Sequence, residues 1–190
     1  MLTVRVRQTY LSKLGFYTGR IDGIEGKLTK AAYKALQKKY FIREEDCDGV
    51  YGNDTEKLLV NAYRVKVHTK NFRLEEFKCE CGGRYCTGYP VKLNAQLLKN
   101  LQKVRTAYGA TTITSGMRCR KYNNSLVGSS PTSRHMDGKA LDIVNAKTQT
   151  ESGRKAVMKY VKKLKGHNYT YCNIGGNYPN MGNAVHFDVK

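Results

Sequence analysis

Acidic residues are scarce in this chain. Only 15 Asp and Glu stand against 34 Lys and Arg, a formal charge of +19 over 190 residues. Such a surface favours polyanions: nucleic acid, anionic membrane, or the phosphate-rich polymers of a Gram-positive wall. The excess is uneven, with 13 basic and 8 acidic residues in 1–66 and 21 and 7 in 67–190. Long apolar runs are also missing. Met1-Leu2-Thr3-Val4-Arg5 lacks the apolar run of a secretory signal, and no stretch approaches the length of a membrane span. The expectation is a protein made in the cytoplasm that reaches an outside target only after release. No Pro-rich or Ser-rich segment divides the chain, so a short polar connector is expected over residues 65–70, not a flexible tether.

Six cysteines are present: Cys47, Cys79, Cys81, Cys86, Cys119 and Cys172. Cytosolic synthesis argues for free thiols or metal binding over disulfides. Cys79, Cys81 and Cys86 are close together and Cys119 is a candidate fourth ligand, but the Cys-x-Cys-x4-Cys spacing is not that of a standard zinc finger. Plain buried or surface thiols are the favoured reading, with a second metal left open.

The first third of the chain repeats itself. Residues 22–29 and 48–55 both read D-G-x-x-G-x-x-T, 26 positions apart. The glycines suit tight turns, and Thr29 and Thr55 suit helix N-caps. Ala31, Ala32, Ala35, Leu36 and Tyr40 follow the first turn at helical spacing, and Leu58, Leu59, Ala62 and Tyr63 follow the second. Val6, Tyr10, Leu11 and Leu14 mark an earlier helix, stopped at Gly15. Three short helices over residues 1–66 are expected. The run Leu11-x-x-Leu14-Gly15-Phe16-Tyr17-x-Gly19-x-Ile21-Asp22-Gly23-Ile24-x-Gly26-x-x-Thr29 closely resembles the three-helix peptidoglycan-binding domain of many cell-wall hydrolases. The resemblance implies docking on wall glycan or peptide through a groove near the turns.

Residues 71–190 read differently. Leu93, Leu97, Leu98, Leu101, Val104 and Tyr108 share one helix face, ended by Gly109. Thr111–Thr114 is β-branched and predicts a strand, and Ser115-Gly116-Met117-Arg118 lies at its end. Residues 120–134, rich in Asn, Ser and Gly, predict a long loop of the kind that shapes sites. Strands are expected over 140–144, 169–174 and 184–189, with a basic amphipathic helix over 154–165 that could meet wall phosphates. The expected fold is α+β: a small three-helix N-terminal domain (1–66), then an antiparallel sheet with helices on one face (71–190).

Strand alternation places His186 and Asp188 on one face, with Val185, Phe187 and Val189 on the other. It also turns Leu141 and Ile143 inward and Asp142 outward. His135 lies seven residues before Asp142, on the loop leading into that strand. Two imidazoles and a carboxylate are the ligand set of a catalytic zinc with one position open. Taken singly, each of these residues is better read as a surface, core or capping residue. The set Ser133-x-His135-x-x-Gly138-x-Ala140-x-Asp142 with His186-x-Asp188 resembles the zinc D-Ala-D-Ala carboxypeptidase family, whose wider group includes the L-alanyl-D-glutamate endopeptidases of bacteriophage endolysins. Ser115-Gly116-Met117-Arg118 resembles that family's S-G-x-R stretch.

The resemblance implies Zn2+ on His135, Asp142 and His186. It implies Arg118 facing a substrate carbonyl or carboxylate, with Ser115 and Ser133 orienting groups around the site. Where several relatives carry an acid three residues before the last histidine, this chain has Asn183. The general base therefore stays open between Asp188, which could instead orient a histidine, and His167. The expected activity is zinc-dependent cleavage of peptidoglycan peptides by a phage endolysin endopeptidase. The alternatives are a D-Ala-D-Ala carboxypeptidase or a wall-binding zinc protein without turnover. The expected partners are bacterial peptidoglycan and anionic wall polymers, with no nucleic acid and no membrane span, and the protein acts as a monomer.

Overall fold

The computed structural model describes residues 1–190, which fold into six helices and one four-stranded antiparallel sheet, an α+β arrangement. Helices α1 (Val4–Lys13), α2 (Lys27–Tyr40) and α3 (Asn53–His68) come first. The sequence repeat has a physical cause. Gln8 on α1 and Gln37 on α2 are fully buried, and each holds one turn. Gln8 Nε2 donates to Asp22 Oδ1 (2.8 Å) and the Ile24 carbonyl (3.1 Å), while its Oε1 accepts from the Gly23 amide (2.8 Å). Gln37 does the same with Asp48 Oδ1 (2.9 Å), the Val50 carbonyl (3.2 Å) and the Gly49 amide (2.7 Å). A buried amide without partners costs about 1–3 kcal/mol, so each loop closes around its glutamine.

Thr29 and Thr55 are not N-caps, contrary to expectation. Gly26 and Gly52 take those positions, and each Thr lies one turn inside its helix with its hydroxyl buried. Thr55 Oγ1 donates to the Val50 carbonyl (2.9 Å) and accepts from Gln37 (2.9 Å). Each threonine thus helps close the turn its own repeat begins.

The expected polar connector is mostly helix. Residues 65–68 complete α3, and Val65 is buried. Helix α3 lies against α4 (Ala95–Tyr108) and the segment before it. Asn61 donates to the Val91 carbonyl (2.8 Å) and accepts from the Leu93 amide (2.7 Å), and Arg64 donates to the Leu93 carbonyl (2.6 Å). One hydrophobic cluster runs from Leu11, Leu36 and Leu58 through Leu97 and Leu98 to Leu141 and Phe187.

The rest of the chain comprises β1 (Thr111–Ser115), α5 (Arg120–Ser125), β2 (Ala140–Asn145), α6 (Glu151–Val161), β3 (His167–Cys172) and β4 (Val185–Val189). The presence of α5 and a 3-10 turn at Arg134–Asp137 means that residues 120–134 are not one long loop. Strand order is β1-β2-β4-β3, antiparallel throughout. Helix α4 starts where Asn94 Oδ1 accepts from the Gln96 (2.7 Å) and Leu97 (3.2 Å) amides, a cap worth about 1 kcal/mol. It packs with α6 on the face of the sheet that carries Leu141, Ile143, Val185 and Phe187, all fully buried. The other face is left for chemistry.

Candidate active site

Strand register assembles most of the site. Across the sheet Ser115 pairs with Asp142, Asp142 with His186, and His186 with Tyr171. Directly opposed residues of an antiparallel sheet share a face, so these four side chains form one row across all four strands. His135 enters from the 3-10 turn before β2. That turn ends at Gly138, with φ +65° and a position where a Cβ would collide with the Lys92 carbonyl, so only glycine fits.

The row brings three donor groups together. His186 Nδ1 lies 2.8 Å from Asp142 Oδ1, and His135 Nε2 lies 3.3 Å from His186 Nδ1 and 3.4 Å from Asp142 Oδ1. All three residues are buried. The groups behind them decide which nitrogen each ring offers. His135 Nδ1 donates to the Gly116 carbonyl at 2.7 Å, which frees Nε2. His186 Nε2 donates to Asp188 Oδ2 at 3.4 Å, which frees Nδ1. A neutral imidazole has one donor and one acceptor, so Nε2 of His135, Nδ1 of His186 and Oδ1 of Asp142 turn their lone pairs on one point. Two nitrogens and an oxygen, each fixed from behind, fit a divalent metal with one coordination position open.

Carboxylates dominate the electrostatics of the site. Burial pushes the Asp142 carboxyl up, but the adjoining His135 and His186 imidazoles outweigh it and hold the group well below the usual carboxylate range. Burial pulls the His186 imidazole down, and its bonds to Asp142 and Asp188 more than reverse this. Asp188 is likewise held low, because His186 and Asn168 overcome the effect of its burial.

Arg118 follows β1. Its Nε (3.0 Å) and Nη2 (2.8 Å) donate to Ser115 Oγ, and Nη2 also reaches Asp142 Oδ2 at 3.2 Å. Nη1 keeps no protein partner, and the side chain lines a cleft of about 630 Å3 above the three donors. Ser115 thus lies behind the guanidinium, while Ser133 lines the cleft itself. Asp188 reaches the cleft edge, but its Oδ1 accepts from Asn168 Nδ2 (2.7 Å) and the Tyr169 amide (3.0 Å) and its Oδ2 from His186. Its Oδ2 braces the His186 ring.

His167 does not join the site. It pairs with Val189, past a register shift in β3 and away from the Tyr171–His186 row, and it does not line the cleft. Burial lowers its affinity for a proton. Asn183 is also elsewhere, accepting from Arg154 (3.0 Å) and donating to Gln149 (3.0 Å). That makes Arg154 a buried strut, bound also to the Thr148 and Asn173 carbonyls, and not part of a basic surface.

Sequence reading missed the aromatic wall. Tyr171 stacks on His186, with ring centroids 4.5 Å apart and planes 26° apart, and Tyr178 lies 4.8 Å beyond it. Burial pushes the Tyr171 phenol up to about 12, so it stays neutral. Tyr169-x-Tyr171 alternates as β-strand residues do, and that period could have flagged the pair. On the N-terminal helices a smaller hollow of about 320 Å3 lies among Glu25, Lys30, Lys34, Asp48 and Gly49, beside the repeated turns.

Two family models match the chain. One, described as Peptidase M15, covers residues 70–177, more than half of the chain. The other, described as a putative peptidoglycan binding domain, covers residues 3–59. No curated protein gives a significant match. The first match stops short of His186 and Asp188, which join His135 and Asp142 through the pairing of β4 with β2.

Proposed function

The chain belongs to the peptidase M15 family and carries a peptidoglycan-binding domain, and on that premise we propose that it is a zinc-dependent endopeptidase of peptidoglycan stem or cross-link peptides, of the phage endolysin kind. One observation carries the reading: His135, Asp142 and His186 converge three oriented donor atoms at the floor of a cleft, in a chain that matches a wall-binding domain. Peptidases of this family are generally zinc-dependent. Zinc, when bound, polarises a carbonyl and makes water nucleophilic at neutral pH.

The chain's own residues do the rest. Arg118 is held by Ser115 and Asp142 where it lines the cleft, and there its guanidinium stabilises negative charge developing on a carbonyl oxygen. Asp188 fixes the ring of His186 and so acts through it. Tyr169, Tyr171 and Tyr178 supply an apolar wall for the peptide. The hollow beside the repeated turns is the docking groove for wall polymer. In this reading the protein is made in the cytoplasm and meets the wall after release.

A guanidinium suits a terminal carboxylate as well as a carbonyl, so Arg118 also supports a second reading, removal of a terminal D-Ala. Mass spectrometry of purified walls incubated with the protein, with and without chelator, tests both. New termini at L-Ala that vanish with chelator are expected. Loss of single D-Ala residues would assign the carboxypeptidase, and walls left uncut in both arms would reject hydrolysis.

A further inference from the structure

A second cluster lies outside the site above. Cys79, Cys81, Cys86 and Cys119 bring their four Sγ atoms within 4.8 Å of one another. All four are free thiols, and three are buried. The loop that carries the first three is shaped for this. Gly82, Gly83 and Gly88 all have positive φ, and the Cys79 amide donates to the Gly88 carbonyl at 2.8 Å, which folds the loop back on itself. Cys81 Sγ then lies 3.5 Å from Cys86 Sγ. Cys119 arrives from the far side, at the start of α5, and its amide donates to Cys79 Sγ at 3.3 Å.

We propose that these four cysteines form a second, structural metal site that binds zinc as a tetrathiolate, separate from the histidine site. The chemistry favours it. Four soft sulfur donors with no oxygen or nitrogen among them suit zinc. A tetrahedral ion with Zn–S near 2.3 Å sets its sulfurs about 3.8 Å apart, so the four need only small shifts to close on one ion. Each binding thiol gives up a proton, and the excess negative charge is offset by N–H donors such as the Cys119 amide. The cysteines also form a small apolar cluster of their own, detached from the main core and joined only by Tyr122. Packing alone does little to hold that corner.

The corner matters because of what it fastens. Cys119 directly follows Arg118, and Cys79 follows Phe77 by two residues. The Met117 amide donates to the Phe77 carbonyl at 2.9 Å, so an ion would clamp both chains of the connection that carries Arg118 and the Gly116 carbonyl. On its outer side the loop touches the first helical unit. A Cβ on Gly83 or Gly88 would meet the Ile42 side chain at 2.8 or 3.2 Å.

Metal analysis of the whole protein, purified under reducing conditions, tests the proposal. Two zinc ions per chain are expected, with one left in His135→Ala and one left in the double variant Cys79→Ser, Cys119→Ser. Should the cysteine variant fail to fold, cobalt loading of His135→Ala answers the same question. The expected spectrum has a sulfur-to-cobalt charge-transfer band and intense tetrahedral ligand-field absorption. Zinc that is lost completely in His135→Ala, a cobalt spectrum without sulfur bands, or a mass showing these cysteines joined as disulfides would overturn it.

Discussion

Arg118 Nη2 and Asp142 Oδ2 lie 3.2 Å apart, and that contact divides one carboxylate between two duties. Oδ1 faces the imidazoles while Oδ2 anchors the guanidinium. Removing Arg118 therefore leaves all three donors in place but takes away the guanidinium bonded to Asp142, with Arg134 the other arginine lining the cleft. Arg118→Ala is expected to lower kcat by about 10²–10³, the usual cost of losing a donor aimed at developing charge. Arg118→Lys should recover only part, because an ammonium cannot hold Ser115 and Asp142 while facing the cleft. Metal content measured alongside kcat checks the assignment: loss of zinc in step with activity would make Arg118 a scaffold residue.

Asp188→Asn separates bracing from proton transfer. A carboxylate that orients a metal-binding histidine typically contributes 10–100-fold to metal affinity. Zinc titration of the variant is expected to show a weakening of about that size, with activity restored at saturating zinc. Unchanged affinity with lost activity would make Asp188 the proton acceptor instead.

Tyr171 tests the aromatic wall. Tyr171→Phe keeps the ring against His186 and is expected to behave as wild type, since the phenol makes no hydrogen bond within the protein. Tyr171→Ala removes a stacked pair worth about 0.5–1.5 kcal/mol and is expected to lower kcat/KM about tenfold. Equal losses in the two variants would shift the role from the ring to the hydroxyl.

Glu56 gives a pH signature to the junction between the helices and the sheet. Its carboxylate accepts from the Leu2 amide (2.8 Å) and from the Lys92 ammonium. Burial pushes the carboxyl up, but these partners outweigh it and hold it below its ordinary value of 4.5. A depressed folded value means stability present above the unfolded value and lost as pH falls through the folded one. Glu56→Gln should cost about 1–2 kcal/mol at neutral pH, a figure reduced because Lys92 is 42% exposed. Thermal melts should show the gap from wild type closing as pH falls below the ordinary carboxylate range, through the lowered folded value of Glu56. A gap of equal width at neutral and low pH would assign the loss to packing.

Wall binding should weaken several-fold as salt rises from about 0.05 to 0.5 M, because exposed charges are screened beyond a Debye length of about 10 Å at 0.1 M. Lys155, Lys159, Lys162, Lys163 and Lys165 are exposed on and just after α6, and are the cations to replace first. Sedimentation with walls stripped of anionic polymer is the matching control, and salt-independent binding there and on intact walls would remove these lysines from the account.

Much of this site is legible in the residues, because a strand of period two fixes faces without any fold. His186 and Asp188 share a face in the sequence and in the structure, and so do Leu141 and Ile143. What stays hidden depends on partners far along the chain. Gln8 and Gln37 read as polar positions on amphipathic helices, and only the folded turns explain their burial. Thr29 and Thr55 mimic caps because a buried hydroxyl and a capping hydroxyl occupy the same stretch of sequence. His167 lies outside the cleft, opposite Val189 and past a register shift in β3, which no local pattern announces. Tyr171 matters only because β3 lies beside β4.

The unbroken packing between α3 and the segment leading into α4 has a consequence for how a polymer is processed. Asn61 and Arg64 bind residues 91–93 directly, and apolar contacts continue on both sides. The hollow beside the turns and the cleft over the histidines therefore belong to one continuously packed body. A glycan gripped at the first would offer the second only those stem peptides lying at one set spacing along it. The molecule would act as a gauge, with the interval between cuts written into its own dimensions.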